Sequence, residues 1–265
     1  MHTIRISLIL LASLVSNTVF ANSDSNNSQS TITIEHAGNA GIKIISGNKI
    51  ALVDALFGPH SRFTHFTDAE FSTLTKQGAN VALATHVHSD HFHPKRATQF
   101  LTANSNTLFI GTPEILGTFN DISVTKNIFA PTLADFQSHL ITQDDIKVDV
   151  LNFPHMKIPN SIQNYAYLVE INGWKILHVG DADVTAEVIT GHQLAKRNID
   201  VLVVHDLFHV LQKDYRKLIE QMNVDKVVYM HIMDENITPV SQWLKTNLPD
   251  ATYLAPGHKS ITLTK

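Results

Sequence analysis

The stretch Thr85-His86-Val87-His88-Ser89-Asp90-His91 places four potential metal ligands within six residues. It follows the apolar run Val-Ala-Leu-Ala at residues 81–84, which predicts a short buried strand. The ligands therefore lie where a strand gives way to a loop, a usual position for functional side chains. A histidine-rich surface loop without function is the alternative. The density of ligands favours a metal site.

The spacing of these side chains divides them between two cations. Side chains two residues apart in extended backbone point the same way, so His86 and His88 are expected to reach one cation together. Asp90 and His91 lie beyond the bend and are free to reach a second one. The chain has no cysteine, and imidazole with carboxylate favours Zn²⁺, with Mn²⁺ or Fe²⁺ as competitors. The predicted cofactors are two divalent metal ions.

Length and composition bound the domain organisation. The 265 residues, of which 43% are hydrophobic, suffice for one large domain or two small ones. Residues 1–21 predict a signal peptide, because Arg5 is followed by an apolar run and by small residues near Ala21. An uncleaved anchor is the alternative, although the apolar run is short for a membrane span. Residues 22–30 predict a flexible polar lead-in, and residues 31–265 the folded domain.

Export, charge and cysteine content limit the expected partners. The predicted product is periplasmic or secreted, with no stable membrane anchor after signal cleavage. Without cysteine there are no disulfides, so stability must come from the core and from bound metal. The formal net charge is −4 and no basic run occurs, which argues against nucleic acid as a partner. A small-molecule substrate is expected instead.

Short apolar runs alternate with helix signals from residue 31 onward. Predicted strands cover residues 31–35, 42–45, 50–56, 81–84, 108–111, 146–153, 165–171, 174–179, 201–204, 226–230 and 252–254. A capping box at Thr67 predicts a helix that ends at Gly78, and Pro94 predicts the start of another. Further helices are predicted over residues 183–196, 215–222 and 240–246. This pattern predicts two packed sheets with helices outside, without fixing the strand order.

Several segments, taken in order, resemble the metallo-β-lactamase-fold hydrolases. His-x-His-x-Asp-His after a short apolar strand resembles the signature of that superfamily. Residues 33–38 and 49–54 resemble the opening of the branch that includes the L-ascorbate-6-phosphate lactonase-like proteins. Residues 178–181 resemble the family's later Gly-Asp step, and residues 229–231 its closing strand-end histidine. The resemblance extends from about residue 31 to the C-terminus.

The resemblance implies an α/β (α+β) fold, a four-layer αββα sandwich of two mixed β-sheets flanked by helices. His155 resembles the third ligand of the first metal, with a structural loop histidine as the alternative. Asp181 matches the bridging aspartate, although Asp183 is near enough to compete. His231 resembles the last ligand of the second metal, and His258 is its rival. The predicted metal ligands are His86, His88, Asp90, His91, His155, Asp181 and His231.

Other histidines have less specific expectations. His205, Asp206 and His209 follow the predicted strand 201–204 and are candidates for substrate contact or general acid catalysis. Alternatively, they cap or hydrogen-bond the next helix. His36 and His178 are candidates to orient a ligand from behind. Surface or loop positions are expected for His60, His65, His93, His139 and His192.

The predicted reaction is metal-assisted hydrolysis, in which two cations lower the pKa of a bridging water that attacks a carbonyl or phosphoryl centre. The predicted catalytic residues are Asp90, Asp181 and His205, with Asp90 holding the nucleophile or taking its proton. A bridging aspartate with a second-site histidine resembles lactonases and phosphoesterases. A lactone or ester is therefore the first choice of substrate, a phosphodiester the second and a β-lactam the third. An exported metal-binding protein without turnover is a different class, but storage does not need a bridging carboxylate.

Overall fold

The computed structural model describes residues 30–120, 124–156 and 162–265. The predicted signal peptide and residues 22–29 of the predicted lead-in lie outside the described residues. Within the described part, no helix combines the length and apolarity needed to cross a membrane.

The strands are β1 (Thr31–His36), β2 (Ile42–Ser46), β3 (Lys49–Val53), β4 (Val81–Leu83), β5 (Leu108–Ile110), β6 (Ile128–Phe129), β7 (Ser138–Gln143), β8 (Ile146–Pro154), β9 (Gln163–Ile171), β10 (Trp174–His178), β11 (Val201–His205), β12 (Lys226–Met230), β13 (Thr252–Tyr253) and β14 (Ser260–Thr264). The α-helices are α1 (Asp68–Gln77), α2 (Pro94–Ala103), α3 (Pro113–Leu116), α4 (Ala186–Gly191), α5 (Phe208–Leu211), α6 (Tyr215–Met222) and α7 (Ile237–Asn247).

Two seven-stranded mixed sheets pack face to face, in the spatial orders β14-β1-β2-β3-β4-β5-β6 and β13-β12-β11-β10-β9-β8-β7. Their facing sides bury one apolar cluster, to which Ile34 and Val53 contribute from one sheet and Val150 and Val203 from the other. Helices α1 and α2 cover the outer side of the first sheet, whereas α4, α6 and α7 cover the outer side of the second. The layers are therefore helix, sheet, sheet, helix, which confirms the predicted αββα sandwich.

Local sequence signals account for the two helices that follow β3 and β4. The Thr67 hydroxyl accepts a hydrogen bond from the Glu70 N–H at 3.2 Å, and the Glu70 carboxylate accepts one from the Thr67 N–H at 2.8 Å. The predicted capping box is therefore present at the start of α1. Helix α1 ends at Gln77 with Gly78, whose φ is 68°, as its C-cap, and α2 begins at Pro94 as predicted.

Some predicted boundaries differ from the structure. The strand predicted over residues 50–56 ends at Val53, because Asp54 adopts a left-handed φ of 50° that leaves the extended conformation. The helix predicted over residues 183–196 begins after its N-cap Thr185 and ends at Gly191, with a separate 3₁₀ turn after it. The sequence analysis missed β6, β7 and β14. All three are edge strands with little buried surface, so their hydrophobic periodicity is weak.

The carboxyl ends of the parallel strands meet at one edge of the sandwich. Strands β3, β4 and β5 run parallel in the first sheet, and β10, β11 and β12 run parallel in the second. Hydrogen bonds join the sheets there. The Tyr165 N–H donates to the Thr85 carbonyl at 2.9 Å, and the Tyr167 hydroxyl donates to the Ala84 carbonyl at 2.7 Å. The loops that follow β4, β10 and β12 therefore begin close together.

The position of Gly180 in this edge gives a stability prediction. Gly180 has a φ of 60°, and an added Cβ would lie 2.5 Å from the Asn164 Oδ1 and 2.7 Å from the Thr85 Cβ. Gly173 has a φ of 82° but no atom within 4 Å of an added Cβ. We expect Gly173→Ala to lower the free energy of unfolding by about 1 kcal/mol and Gly180→Ala by roughly 2–4 kcal/mol, because only the second adds a clash. Urea unfolding of the metal-free proteins measures both, and equal losses would contradict the close packing at Gly180.

Candidate metal centre

Three histidines and one aspartate form the first ligand group. Its members are His86, His88, His155 and Asp181, whose candidate ligand atoms all lie within 4.8 Å of one another. His86 and His88 follow β4, and the Nε2 of His86 lies 2.9 Å from the Nδ1 of His88. His155 follows β8, and its ring centroid lies 4.8 Å from that of His86. The structure therefore brings the predicted third histidine beside the first two.

The hydrogen bonding of His155 leaves one ring nitrogen free. Its Nδ1 lies 2.8 Å from the Met156 carbonyl oxygen, which can only accept, so Nδ1 carries the proton. Nε2 then holds a lone pair, and it is buried without a hydrogen-bond partner. Such an unpaired buried atom costs about 1–3 kcal/mol, which a bound cation would offset. The free Nε2 also lies 4.0 Å from the Oδ2 of Asp181 and beside His86, and this combination favours a ligand over a structural loop histidine.

Asp90, His91 and His231 form the second ligand group. The Nε2 of His231 lies 3.2 Å from the Oδ2 of Asp90, and the stacked rings of His91 and His231 have centroids 5.0 Å apart. His231 follows β12 with a left-handed φ of 59°, and its N–H donates to the Asn39 carbonyl at 3.3 Å. The Asn39 side chain also donates to the Asp90 carbonyl at 2.8 Å. Asn39, which the sequence analysis did not single out, therefore fixes two members of the group.

Asp181 lies between the two groups. Its Oδ1 is 3.2 Å from the Nε2 of His91 and 3.6 Å from the Nε2 of His231. Its Oδ2 is 3.9 Å from the Nε2 of His86 and 4.0 Å from the Nε2 of His155. The 3.2 Å contact of Oδ1 with His91 lacks hydrogen-bond geometry, and both atoms are buried without a hydrogen-bond partner. Each carboxylate oxygen thus faces one group, as a bridging ligand would.

Charges within the second group shift the pKa of its members in the metal-free protein. Burial alone would lower the pKa of His91, but the carboxylates of Asp181 and Asp54 raise it well above its usual value. Burial alone would raise the pKa of Asp181, but the charges of His231 and His91 hold it well below its usual value. Protonated imidazole therefore neutralises the buried carboxylate, and a cation that binds here must displace those protons.

Asp54, which the sequence analysis gave no role, holds His91 from behind. Its carboxylate is fully buried and accepts hydrogen bonds from the Thr85 N–H and hydroxyl, each at 2.7 Å. It also accepts one from the Nδ1 of His91 at 2.8 Å. The proton on Nδ1 leaves the Nε2 of His91 to face Asp181. The sequence feature that could have identified Asp54 is its position directly after an apolar strand.

His178 and Asn164 fix the backbone on either side of Asp181. His178 donates from Nε2 to the Ala40 carbonyl at 3.0 Å, and its Nδ1 accepts from the Gly180 N–H at 3.1 Å. The side-chain oxygen of Asn164, Oδ1, accepts a hydrogen bond from the Asp181 N–H at 3.2 Å. His178 therefore lies behind a candidate ligand, as expected, and supports it through the main chain.

The structure separates the rival ligands from both groups. His258 is exposed, with its ring centroid 4.3 Å from that of Tyr253, and it belongs to neither group. Asp183 accepts a hydrogen bond from the Gln212 side chain instead of joining Asp181. His36 is half-buried outside both groups, and burial lowers its pKa to about 4.

The remaining histidines occupy varied positions. His93 caps α2 and His139 is exposed, whereas His192 lies in a turn but is buried, with its Nε2 3.0 Å from the Asn152 carbonyl. His60 lies in a loop, as expected, but that loop reaches the candidate site.

A cavity of about 460 Å³ opens onto both groups, where His88, Asp90, Asp181 and His231 reach its wall. The other described residues that line the cavity are His60, Arg62, Phe63, Ser89, Met156, Asp206, Leu207 and Met233. Asp206 is nearly buried, and that burial raises its pKa to about 6. The described lining does not include His205, which is buried with its Nε2 3.0 Å from the Ala182 carbonyl.

The chain belongs to the beta-lactamase superfamily, because the family model described as "Beta-lactamase superfamily domain" matches residues 33–231. This family is one of metallo-β-lactamase-fold, metal-dependent hydrolases, as the resemblance implied. A comparison with curated proteins gives no match.

Solved structures show the same fold at low sequence identity. Igni18, a metallo hydrolase from Ignicoccus hospitalis, is 14% identical with a TM-score of 0.62, and the match covers 88% of this chain and 98% of Igni18. An isothiocyanate hydrolase from Delia radicum gut bacteria is 12% identical with a TM-score of 0.60, over 89% of this chain and 100% of its own. CmlA, a diiron β-hydroxylase from Streptomyces venezuelae, is 12% identical with a TM-score of 0.59, over 88% of this chain and 54% of its own. These likenesses establish the fold.

The contacts of Asp54 predict a loss of metal affinity when it is neutralised. Asp54→Asn keeps the shape but removes the carboxylate that holds the Nδ1 proton of His91, so affinity at the second group should fall about 10–100-fold. Titration against a chelating zinc indicator measures this change. Asp145→Asn, at an exposed carboxylate 3.5 Å from Lys49, is the matched control. Unchanged zinc affinity in Asp54→Asn would show that His91 does not depend on Asp54.

The raised pKa of Asp206 predicts a pH dependence of stability. Because burial raises the pKa of Asp206 from its ordinary value of 3.8 to about 6, the folded state is favoured at low pH and loses this contribution as the pH rises through 6. Wild type should therefore lose about 2 kcal/mol relative to Asp206→Asn between pH 4 and pH 8, in the presence of chelator. Urea unfolding at both pH values measures the difference, with Asp250→Asn as the control. A gap between wild type and Asp206→Asn that does not change with pH would contradict the buried acid.

Proposed function

We propose that this chain is an exported hydrolase that holds two divalent metal ions, most suitably Zn²⁺, and cleaves a small ester or lactone. The observation that carries the proposal is the Asp181 carboxylate, with one oxygen directed to each ligand group. Storage proteins do not need such a bridge, nor the open cavity in front of it. Export rests on the sequence pattern of residues 1–21.

The donor chemistry supports two adjacent cation sites. His86, His88 and His155 would hold the first ion, Asp90, His91 and His231 the second, and Asp181 both. One side-chain nitrogen or oxygen atom in each of His91, His155 and Asp181 is buried without a hydrogen-bond partner. Bound there, two cations supply Lewis-acid polarisation of the substrate and an activated water. Imidazole and carboxylate donors without thiolate suit Zn²⁺, Mn²⁺ or Fe²⁺.

Two carboxyl groups at the cavity are placed to handle protons. Asp90 holds its Oδ2 toward the Nε2 of His231 at 3.2 Å and reaches the cavity wall, where it orients the attacking water or takes its proton. Asp206 lines the same cavity and is placed to give a proton to the leaving oxygen. We assign the general acid to Asp206 and not to His205. Of these two residues, only Asp206 belongs to the described cavity lining, and the Nε2 of His205 is hydrogen-bonded to the Ala182 carbonyl.

The choice of an ester or lactone rests on the resemblance of the ligand set to lactonases and phosphoesterases. Solved structures of this fold include an isothiocyanate hydrolase and a diiron β-hydroxylase, so the fold alone does not select a reaction. A phosphodiester and a β-lactam are therefore included as alternatives in the test.

Metal analysis of the purified protein, together with a hydrolysis screen, tests the proposal. We expect two metal ions per chain and turnover of lactones or esters. Turnover confined to phosphodiesters or β-lactams would keep the metal centre and replace the substrate class. A chain without stoichiometric metal would contradict the metal centre itself.

Replacement of the proposed bridge gives the sharpest single variant. Asp181→Asn removes the negative charge between the groups and replaces one of the two oxygen donors by an NH2 group, so the variant should bind fewer than two ions and lose turnover by about 100-fold or more. Asp183→Asn, two residues on and outside both groups, should keep both properties. Metal content by mass spectrometry and kcat/KM give the comparison. Full metal content and activity in Asp181→Asn would refute the bridging role.

A further inference from the structure

The loop of residues 57–66, called here the Arg62 loop, is fixed at both ends. The Arg96 guanidinium donates to the Phe57 carbonyl at 3.3 Å and to the Phe66 carbonyl at 3.1 Å. Near the second end, the Thr64 hydroxyl donates to the Asp234 carboxylate at 3.0 Å. These bonds give the Arg62 loop a defined position at the cavity.

Phe63 seats the Arg62 loop against the second ligand group. Its side chain is 6% exposed, and its ring meets the His231 ring edge to face with centroids 4.9 Å apart. The Arg62 N–H donates to the Nδ1 of His60 at 3.3 Å, which orders the turn before Phe63. Arg62 is therefore presented at the cavity wall, next to a proposed metal ligand.

Among the described residues, no carboxylate forms an ion pair with Arg62. Arg96 pairs with Asp68 and Arg197 pairs with Asp149, whereas Arg62 forms no ion pair in the described part of the chain. Its guanidinium carbon lies 5.9 Å from the Phe63 ring centroid, and its side chain is exposed at the cavity. A guanidinium with free donors beside a reaction site matches a planar or tetrahedral oxyanion.

Four apolar side chains also contribute to the wall of this cavity. Phe63, Met156, Leu207 and Met233 line it, and Leu207 remains 39% exposed. Apolar side chains favour a carbon skeleton, and they lower the local dielectric constant that screens a charge pair. A ligand that spans this wall would thus place an anionic end at Arg62 and its reacting end at Asp181.

We propose that the substrate is a small anionic ester or lactone, whose carboxylate or phosphate group is bound by Arg62 and whose carbon skeleton lies on Phe63 and Met233. The inference rests on the proposed hydrolase function for the reacting end. Arg62 is then a specificity-determining residue, because it lowers KM for anionic substrates and has little effect on kcat for cleavage of the bond.

A binding measurement tests Arg62 without turnover. Glutaric acid monoanilide carries a carboxylate, 3-phosphonopropionanilide carries a phosphonate, and butyranilide is the neutral match. Isothermal titration of the zinc-loaded protein should show at least one anionic probe bound about 10-fold or more tightly than butyranilide. The tighter anion identifies the group recognised. Arg62→Met should abolish this preference, Arg62→Lys should retain part of it, and Arg216→Met, on α6, should retain all of it.

The outcomes separate this inference from the proposed function. A preference for the anions that survives in Arg62→Met, or no preference in wild type, overturns the role of Arg62 whatever the activity. For turnover, mono-4-nitrophenyl glutarate and 4-nitrophenyl butyrate share a leaving group. Arg62→Met should raise KM for the glutarate about 10-fold with kcat nearly unchanged, and leave the butyrate unaffected. If neither ester is cleaved by wild type, ester hydrolysis fails while the titration still decides the role of Arg62.

Discussion

The burial of one carboxylate governs the chemistry of this chain. Asp181 is 6% exposed, and an ionised carboxylate there is costly unless positive charge surrounds it. Histidines on both sides of its two oxygens meet that requirement. In the metal-free protein, protonated imidazoles supply the positive charge, since Asp181 and Asp54 raise the pKa of His91 despite its burial. Divalent cations would take the place of those protons, which makes the site responsive to pH and to metal together.

The sandwich fold concentrates these groups without a dedicated metal-binding segment. The ligands come from the ends of β4, β8, β10 and β12, and hydrogen bonds from Tyr165 and Tyr167 hold the two sheets together at that edge. Left-handed backbone at Asp54, Gly180 and His231 turns the chain sharply where each strand ends. Glycine adopts such backbone freely, but at Asp54 and His231 it costs free energy and persists only when neighbouring contacts enforce it.

Local signals in the sequence were sufficient for many of the elements and for most of the residues that the two ligand groups bring together. The Thr67 capping box, the Pro94 helix start and the ligand stretch after β4 depend on residues close together in the chain, and each is found where it was predicted. Asp54 was missed because its partners, Thr85 and His91, lie 31 and 37 residues away and carry no local signature.

The choice between Asp206 and His205 also depended on the folded chain. Adjacent residues on β11 and just after it point in different directions, and only the packing decides which one reaches the cavity. The strand order was also beyond the sequence, because sheet pairing is a long-range property. The edge strands β6, β7 and β14 were missed because their weak burial leaves little hydrophobic periodicity.

Anomalous X-ray scattering at the zinc edge, from crystals of the zinc-loaded protein, tests the central claim most directly. The account predicts two peaks, one on each side of the Asp181 carboxylate and roughly 3.5–4 Å apart. A single peak, or peaks that do not contact Asp181, would contradict a bridged two-metal centre.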